Sequence, residues 1–142
     1  MNTAVLDTSV IIKWFYHENE PDLEPALLLR EAYLQGELDV IIPDLLIYEF
    51  GNFLRFGSGM TTAQMDETMR NLWSLGLAVY PLDESLSQEM ARIAGEHDLT
   101  VYDAAFLALS KKLSATLVTA DRLIHERAGG KNAVVLLSEM QG

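Results

Sequence analysis

Apolar residues along the chain fall into short continuous runs separated by longer stretches in which they recur at helical spacing. Ala4-Val5-Leu6, Val40-Ile41-Ile42-Pro43, Leu77 to Tyr80, Thr116-Leu117-Val118-Thr119 and Ala133 to Leu137 are each short and continuously apolar, which predicts about five buried strands. Helices are expected between them. Ser9 to Tyr16 reads as a short one, and His17-Glu18-Asn19-Glu20-Pro21-Asp22 as an acidic loop broken by proline. Leu23 to Gln35 follows, with Asp22 as N-cap and Gly36 at the stop. Asp44 is expected to cap an apolar helix running towards Phe56, with Glu49 embedded in it. After Gly57-Ser58-Gly59, Thr61 and Gln64 have capping-box spacing and open a helix that stops at Gly76. Asp83 heads the next helix, which carries Leu86, Met90, Ile93, Ala94 and His97 on one face. A strongly helical run from Thr100 to Leu113, a short helix from Asp121 to Arg127 and a glycine-containing turn from Ala128 to Asn132 complete the pattern.

Short apolar strands alternating with helices predict an α/β protein, a parallel sheet covered on both faces in a three-layer α/β/α sandwich. The 142 residues are expected to form a single domain, 1–142, large enough to bury a core without cross-links. Composition narrows the chemistry. The chain has no cysteine, so disulfides, thiolate chemistry and cysteine zinc sites are absent. The amino terminus lacks a basic segment leading into a long apolar stretch, and no stretch is long enough to span a bilayer. A soluble, cytoplasmic protein is expected, with no membrane partner.

Four acids stand where this architecture would gather them. Asp7 and Asp121 each end a predicted strand, and the carboxyl edge of a parallel sheet is where ligands sit in open α/β folds. Were strands one and four neighbours, these two carboxylates would come within reach of one ion. Asp103 falls in the first turn of its helix, where the free N–H groups favour negative charge. Glu49 lies among Leu46, Ile47, Tyr48, Phe50 and Phe53, where an unpaired carboxylate is costly. Each acid alone has a plainer reading: Asp7 as a helix N-cap, Glu49 reaching solvent or pairing with Arg55. Together they suggest an oxygen-only site for Mg²⁺ or Mn²⁺, suited to metal-assisted phosphodiester hydrolysis.

Val5-Leu6-Asp7-Thr8-Ser9-Val10-Ile11, Tyr48-Glu49-Phe50-Gly51-Asn52, Leu99-Thr100-Val101-Tyr102-Asp103-Ala104-Ala105 and Leu117-Val118-Thr119-Ala120-Asp121 together resemble a PIN domain of the VapC toxin type. The likeness runs the length of the chain, in order. It implies a magnesium- or manganese-dependent endoribonuclease, usually a homodimer, acting on RNA and inhibited by a small VapB-like antitoxin. It also maps the family's acidic quartet onto Asp7, Glu49, Asp103 and Asp121, with Thr119 as a supporting hydroxyl, and by analogy makes Asp7 and Asp103 the most direct ligands. From the residues themselves, Thr8 and Ser9 suit helix capping or a hydrogen bond to a ligand carboxylate. Asn52 would either hydrogen-bond Glu49, touch the ligand or lie on the helix surface.

The net charge of −11 opposes nucleic-acid binding, which relies on clustered Lys and Arg. A bound cation would relieve the repulsion, or a basic partner could supply the charge. The same charge motivates an alternative, a PIN-like binding or regulatory module that turns nothing over. A third possibility is an α/β phosphatase that also begins at a strand-end aspartate; it lacks the second acid, since that position is Ser9. His17, His97 and His125 are scattered and receive no chemistry. Lys13, Arg55 and Arg122 default to solvated surface roles, and Trp14-Phe15-Tyr16 to core packing.

Overall fold

The computed structural model describes residues 2–130 and 132–140. The apolar runs form strands β1 (Thr3–Leu6), β2 (Asp39–Pro43), β3 (Ala78–Tyr80), β4 (Thr116–Thr119) and β5 (Val134–Leu136). All pair in parallel, in the order β3-β2-β1-β4-β5. Among the described residues the helices are α1 (Thr8–Phe15), α2 (Leu23–Leu34), α3 (Leu45–Phe56), α4 (Thr62–Ser74), α5 (Glu84–His97), α6 (Val101–Lys112) and α7 (Arg122–Ala128), with a short 3₁₀ turn at Leu137–Glu139. The glycine-containing turn expected before β5 includes Lys131, which lies outside the described residues.

This strand order places the site. From β1 the chain steps outward through β2 to β3, then returns to the other side of β1 with β4 and continues to β5. Right-handed crossovers put helices from the outward and returning halves on opposite faces. Accordingly α1 packs on α2 and α3, while α5 packs on α6, which lies against β1, β2 and β4. The direction reverses between β1 and β4, so their carboxyl ends splay the connecting segments apart and leave a crevice. Asp7 follows β1 and Asp121 follows β4.

After Thr3 the sheet's central strand is apolar on both faces, with Ala4, Val5 and Leu6 inaccessible. On one side it is covered by α6, in which every residue from Ala104 to Ser110 is buried. A helix apolar around its whole circumference has no solvent face, and this one is enclosed between the sheet and α5. Only its two ends emerge, the amino-terminal turn with Val101 and Tyr102 exposed and Asp103 half-buried, and Lys111 and Lys112 at the other end. Trp14 packs beneath α2, and its indole N–H donates to Ala26 O at 2.8 Å. Phe15 meets Phe50 edge to face, and Tyr16 meets Phe53 likewise, so the aromatic run is packing material.

Helix starts follow the sequence at Thr61, where the capping box with Gln64 forms, and at Asp83, Thr100 and Asp121, whose side chains accept from the helix amides. Two expected caps do not form. Asp22 adopts a left-handed backbone with φ 58° and makes no side-chain cap bond. The third helical residue there is Pro25, which has no N–H for a cap to accept. Asp44 is already helical at φ −59° and ψ −26°, and again makes no cap bond. Its own N–H is held by Tyr80 O at 3.2 Å, which ties the start of α3 to β3.

Candidate active site

The Asp7 carboxylate is held from two directions. Ser9 Oγ donates to its Oδ2 at 2.6 Å and Thr119 Oγ1 to the same oxygen at 2.9 Å. The side chain makes no bond to the amides of α1, so the simple capping role is not the one Asp7 plays. Thr119 is completely buried at the end of β4, and β4 is bonded directly to β1. The Asp7 N–H extends that ladder by one step, donating to Val118 O at 3.0 Å.

Glu49 arrives from the middle of α3, and Thr8 Oγ1 donates to its Oε1 at 2.6 Å. Arg55, the partner considered from sequence, lies over the Phe56 ring instead, 4.7 Å from its centroid. Asp103 projects from the first turn of α6, where its N–H is capped by Thr100 Oγ1 at 3.1 Å. Asp7, Thr8, Ser9, Ile12, Glu49, Asn52, Phe53 and Asp103 line a single open cleft of about 370 Å³. Asp121 does not line it. It stands beside Asp103, close enough to influence its charge, with Oδ1 engaged by the Leu123 N–H at 2.8 Å.

The cleft concentrates negative charge. Burial pushes Asp7 up to about 6, against the pull of the Ser9 and Thr119 hydroxyls, and the charges of Glu49 and Asp103 push the same way. Glu49 is raised by burial first and by Asp103, with Thr8 opposing. Asp103 is raised by burial and then by Asp121. No Lys, Arg or His lines the cleft among the described residues. Lys13 is 3 % exposed, contrary to the expected solvated role, and is paired with Glu20 at 3.2 Å. Lys13 is buried with Val10, Ile11 and Trp14 of α1, and its ammonium is met by Glu20 of the following loop.

Oxygen donors, mutual repulsion and absent counter-charge suit a hard divalent cation. The fit lies in charge and donor type. Among the described residues no three His, Asp or Glu side chains stand at the mutual spacing of a closed cation cage. Carboxylates with no positive charge between them repel one another; Glu49 is anchored through its carboxylate to Thr8, and Asp103 through its backbone N–H to Thr100.

Sequence reasoning overlooked Ile12 and Phe53 as walls of the cleft. Helical spacing could have found Phe53, which lies one turn beyond Glu49, as Asn52 nearly does. Asn52 is exposed at the rim and makes no hydrogen bond to Glu49 among the described residues. His97 Nδ1 sits 3.2 Å from Arg127 O, in a structural contact between α5 and α7, and does not line the cleft.

Comparison with known proteins agrees with this geometry. The PIN domain family profile matches residues 4–130. Ribonuclease VapC3 of Pyrobaculum aerophilum is 35 % identical over 89 residues, covering 59 % of this chain and 67 % of that protein. Among solved structures, FitAB bound to a DNA fragment superposes with a TM-score of 0.74 at 20 % identity, covering 98 % of both chains. A toxin–antitoxin complex from Klebsiella pneumoniae gives 0.72 at 18 % identity, covering 96 % of this chain and 99 % of that one. At such identities these structures speak for the fold, and the family profile and the curated relative speak for descent: the chain belongs to the PIN-domain family, in its VapC branch.

Proposed function

We propose that the protein is a metal-dependent endoribonuclease, the toxin of a VapBC-type toxin–antitoxin pair. The observation that carries the reading is the meeting of Asp7, Glu49 and Asp103 in one cleft that holds no cationic side chain. The relationship to a ribonuclease VapC3 supplies the substrate class. Asp7 and Asp103 serve as the principal ligands of Mg²⁺ or Mn²⁺, Glu49 completes the set, and Asp121 acts from beside Asp103. A cation bound there acidifies water and neutralises charge on a phosphoryl oxygen.

The chain's own groups prepare the site. Thr8 holds one Glu49 oxygen, and among the described residues no donor reaches the other. Asn52 presents an amide at the rim that can donate to a phosphate oxygen, and Phe53 and Ile12 wall one side against water. A narrow acidic opening admits a flexible phosphodiester more readily than a stacked duplex, so single-stranded or loop RNA is the expected substrate.

Partners follow from the exposed apolar surface. Leu82, Val101 and Tyr102 are exposed around an apolar hollow of about 150 Å³ that continues from the first turn of α6, next to Asp103. A second copy of the chain, forming a homodimer, and a small VapB-like antitoxin carrying Arg or Lys are the proposed occupants of this neighbourhood. No helix among the described residues is long and apolar enough to cross a membrane. Residues 1–142 act as one domain, and the site of action is the cytoplasm, where RNA is available.

The test is incubation with a mixed RNA panel in Mn²⁺, with wild type beside Asp7→Asn and Asp103→Asn. Cleavage should stop in both variants and with chelator. Cleavage that survives all three overturns the assignment. The net charge of −11 favours the second reading, a PIN-like binding or regulatory module. That reading gains if the protein takes up Mn²⁺ and a partner but cuts no RNA.

A further inference from the structure

Ser9 and Thr119 do the same thing from opposite sides. Each hydroxyl donates to Asp7 Oδ2, at 2.6 Å and 2.9 Å. Each also accepts from a backbone amide of the turn after β4: Ala120 N–H to Ser9 Oγ at 3.1 Å, and Asp121 N–H to Thr119 Oγ1 at 3.0 Å. A backbone N–H can only donate, so the single proton of each hydroxyl is directed to the carboxylate. Two consecutive amides are thereby joined through two hydroxyls to one oxygen. That oxygen has two lone pairs and both are filled. Among the described residues no donor reaches Oδ1, and Asp7 borders the cleft.

We propose that Ser9 is a positioning residue that, with Thr119, saturates Asp7 Oδ2 so that Oδ1 alone is offered as a ligand, and that ties the turn presenting Asp121 to the same carboxylate. The inference rests on the metal reading of the cleft and deepens it. Small octahedral ions such as Mg²⁺ and Mn²⁺ are served by single-oxygen carboxylates, whereas Ca²⁺ accepts two oxygens of one carboxylate. A carboxylate with one oxygen already filled is therefore matched to the smaller ions. The hydroxyl of Ser9 reaches the turn from α1, on the first half of the chain, and so fixes Asp121 against an element it does not follow in sequence.

Isothermal titration with Mn²⁺ and with Ca²⁺, together with amide hydrogen exchange, tests this in wild type, Ser9→Ala, Ser9→Thr and Asp7→Asn. Ser9→Ala should bind Mn²⁺ about tenfold more weakly, as removal of a group that orients a ligand commonly does. Its preference for Mn²⁺ over Ca²⁺ should narrow, and the Ala120 amide should exchange faster. Ser9→Thr, which keeps the hydroxyl, should restore all three. Ser9→Cys, which keeps the volume with a weak donor, replaces Ser9→Ala should that variant not fold. Mn²⁺ affinity within twofold of wild type in Ser9→Ala, while Asp7→Asn loses binding, overturns the proposal and leaves the metal reading intact. An unchanged Ala120 exchange rate overturns it equally. A wild type that binds no Mn²⁺ overturns both.

Discussion

The Thr8 hydroxyl donates to Glu49 Oε1 at 2.6 Å, joining the first turn of α1 to the middle of α3. This one bond answers the question that Glu49 poses in the sequence, how a carboxylate is tolerated in an apolar helix. It also gives a clean substitution. Thr8→Val keeps the shape and removes the donor, and a hydrogen bond to a charged group contributes about 1.5–3 kcal/mol. With the donor gone, Glu49 rises further above its ordinary range, since the Thr8 bond is what holds it down against burial and Asp103. RNA cleavage should fall roughly tenfold or more, by that energy, with Thr8→Ser close to wild type. Steady-state kinetics of the three proteins on one oligonucleotide checks it.

Asp7 makes the metal-free protein less stable than it could be. Its carboxyl titrates near 3.8 when unfolded and about 6 in the fold. A raised pKa means that the folded state binds the proton more tightly. The group therefore costs nothing below the unfolded value, and its penalty grows as pH rises through the interval and is complete above about 6. The penalty is on the order of 3 kcal/mol for a shift of about two units. Asp7→Asn retains an oxygen for Ser9 and Thr119 and carries no charge. In EDTA it should melt several degrees above wild type at pH 7.5, and the gap should close towards pH 4. Calorimetry at both pH values measures it.

Divalent cation should reverse that deficit. A ligand that binds only the folded state stabilises it by about 1.4 kcal/mol at ten times its dissociation constant. Melting temperature should rise with added Mn²⁺, return with EDTA and stay flat in Asp7→Asn and Asp103→Asn. A thermal-shift titration is sufficient.

Lys13 and Glu20 form an ion pair whose two halves are not equivalent, Lys13 being nearly inaccessible and Glu20 partly solvated. Removing the acid strands a buried ammonium, a change that costs about 3–5 kcal/mol when the pair is fully enclosed and less for a half-open one. Glu20→Gln should therefore lower the urea midpoint clearly. Lys13→Met, which removes the charge at similar volume, should be nearly neutral.

The strands were legible because each is short and apolar, and parallel sheets buried on both faces write themselves that way. The neighbouring of β1 and β4 was not, since no local pattern records which strands pair. It was a condition on which the meeting of Asp7 with Asp121 depended. The two failed caps show the limit of local chemistry. Asp22 had the right side chain but faced Pro25, and Asp44 had its backbone held by Tyr80. Lys13 looked like surface because side-chain type says little about which face of α1 its stem follows. Ser9 makes the hydrogen bond to a ligand carboxylate that its place beside Asp7 suggested, but the bond it accepts from the Ala120 N–H was not legible, because that amide lies on the far side of the sequence.

The placement of β4 beside β1 bears on how the protein is made. While the ribosome is still translating the first hundred residues, the emerging chain can close only one flank of its opening strand. The other flank stays bare, and the carboxylate at its tip has neither Thr119 nor the turn that carries the last acid. Through most of its synthesis the chain therefore lacks both the hydroxyl that holds Asp7 and the turn that carries Asp121, and the acids are gathered only when β4 closes on β1.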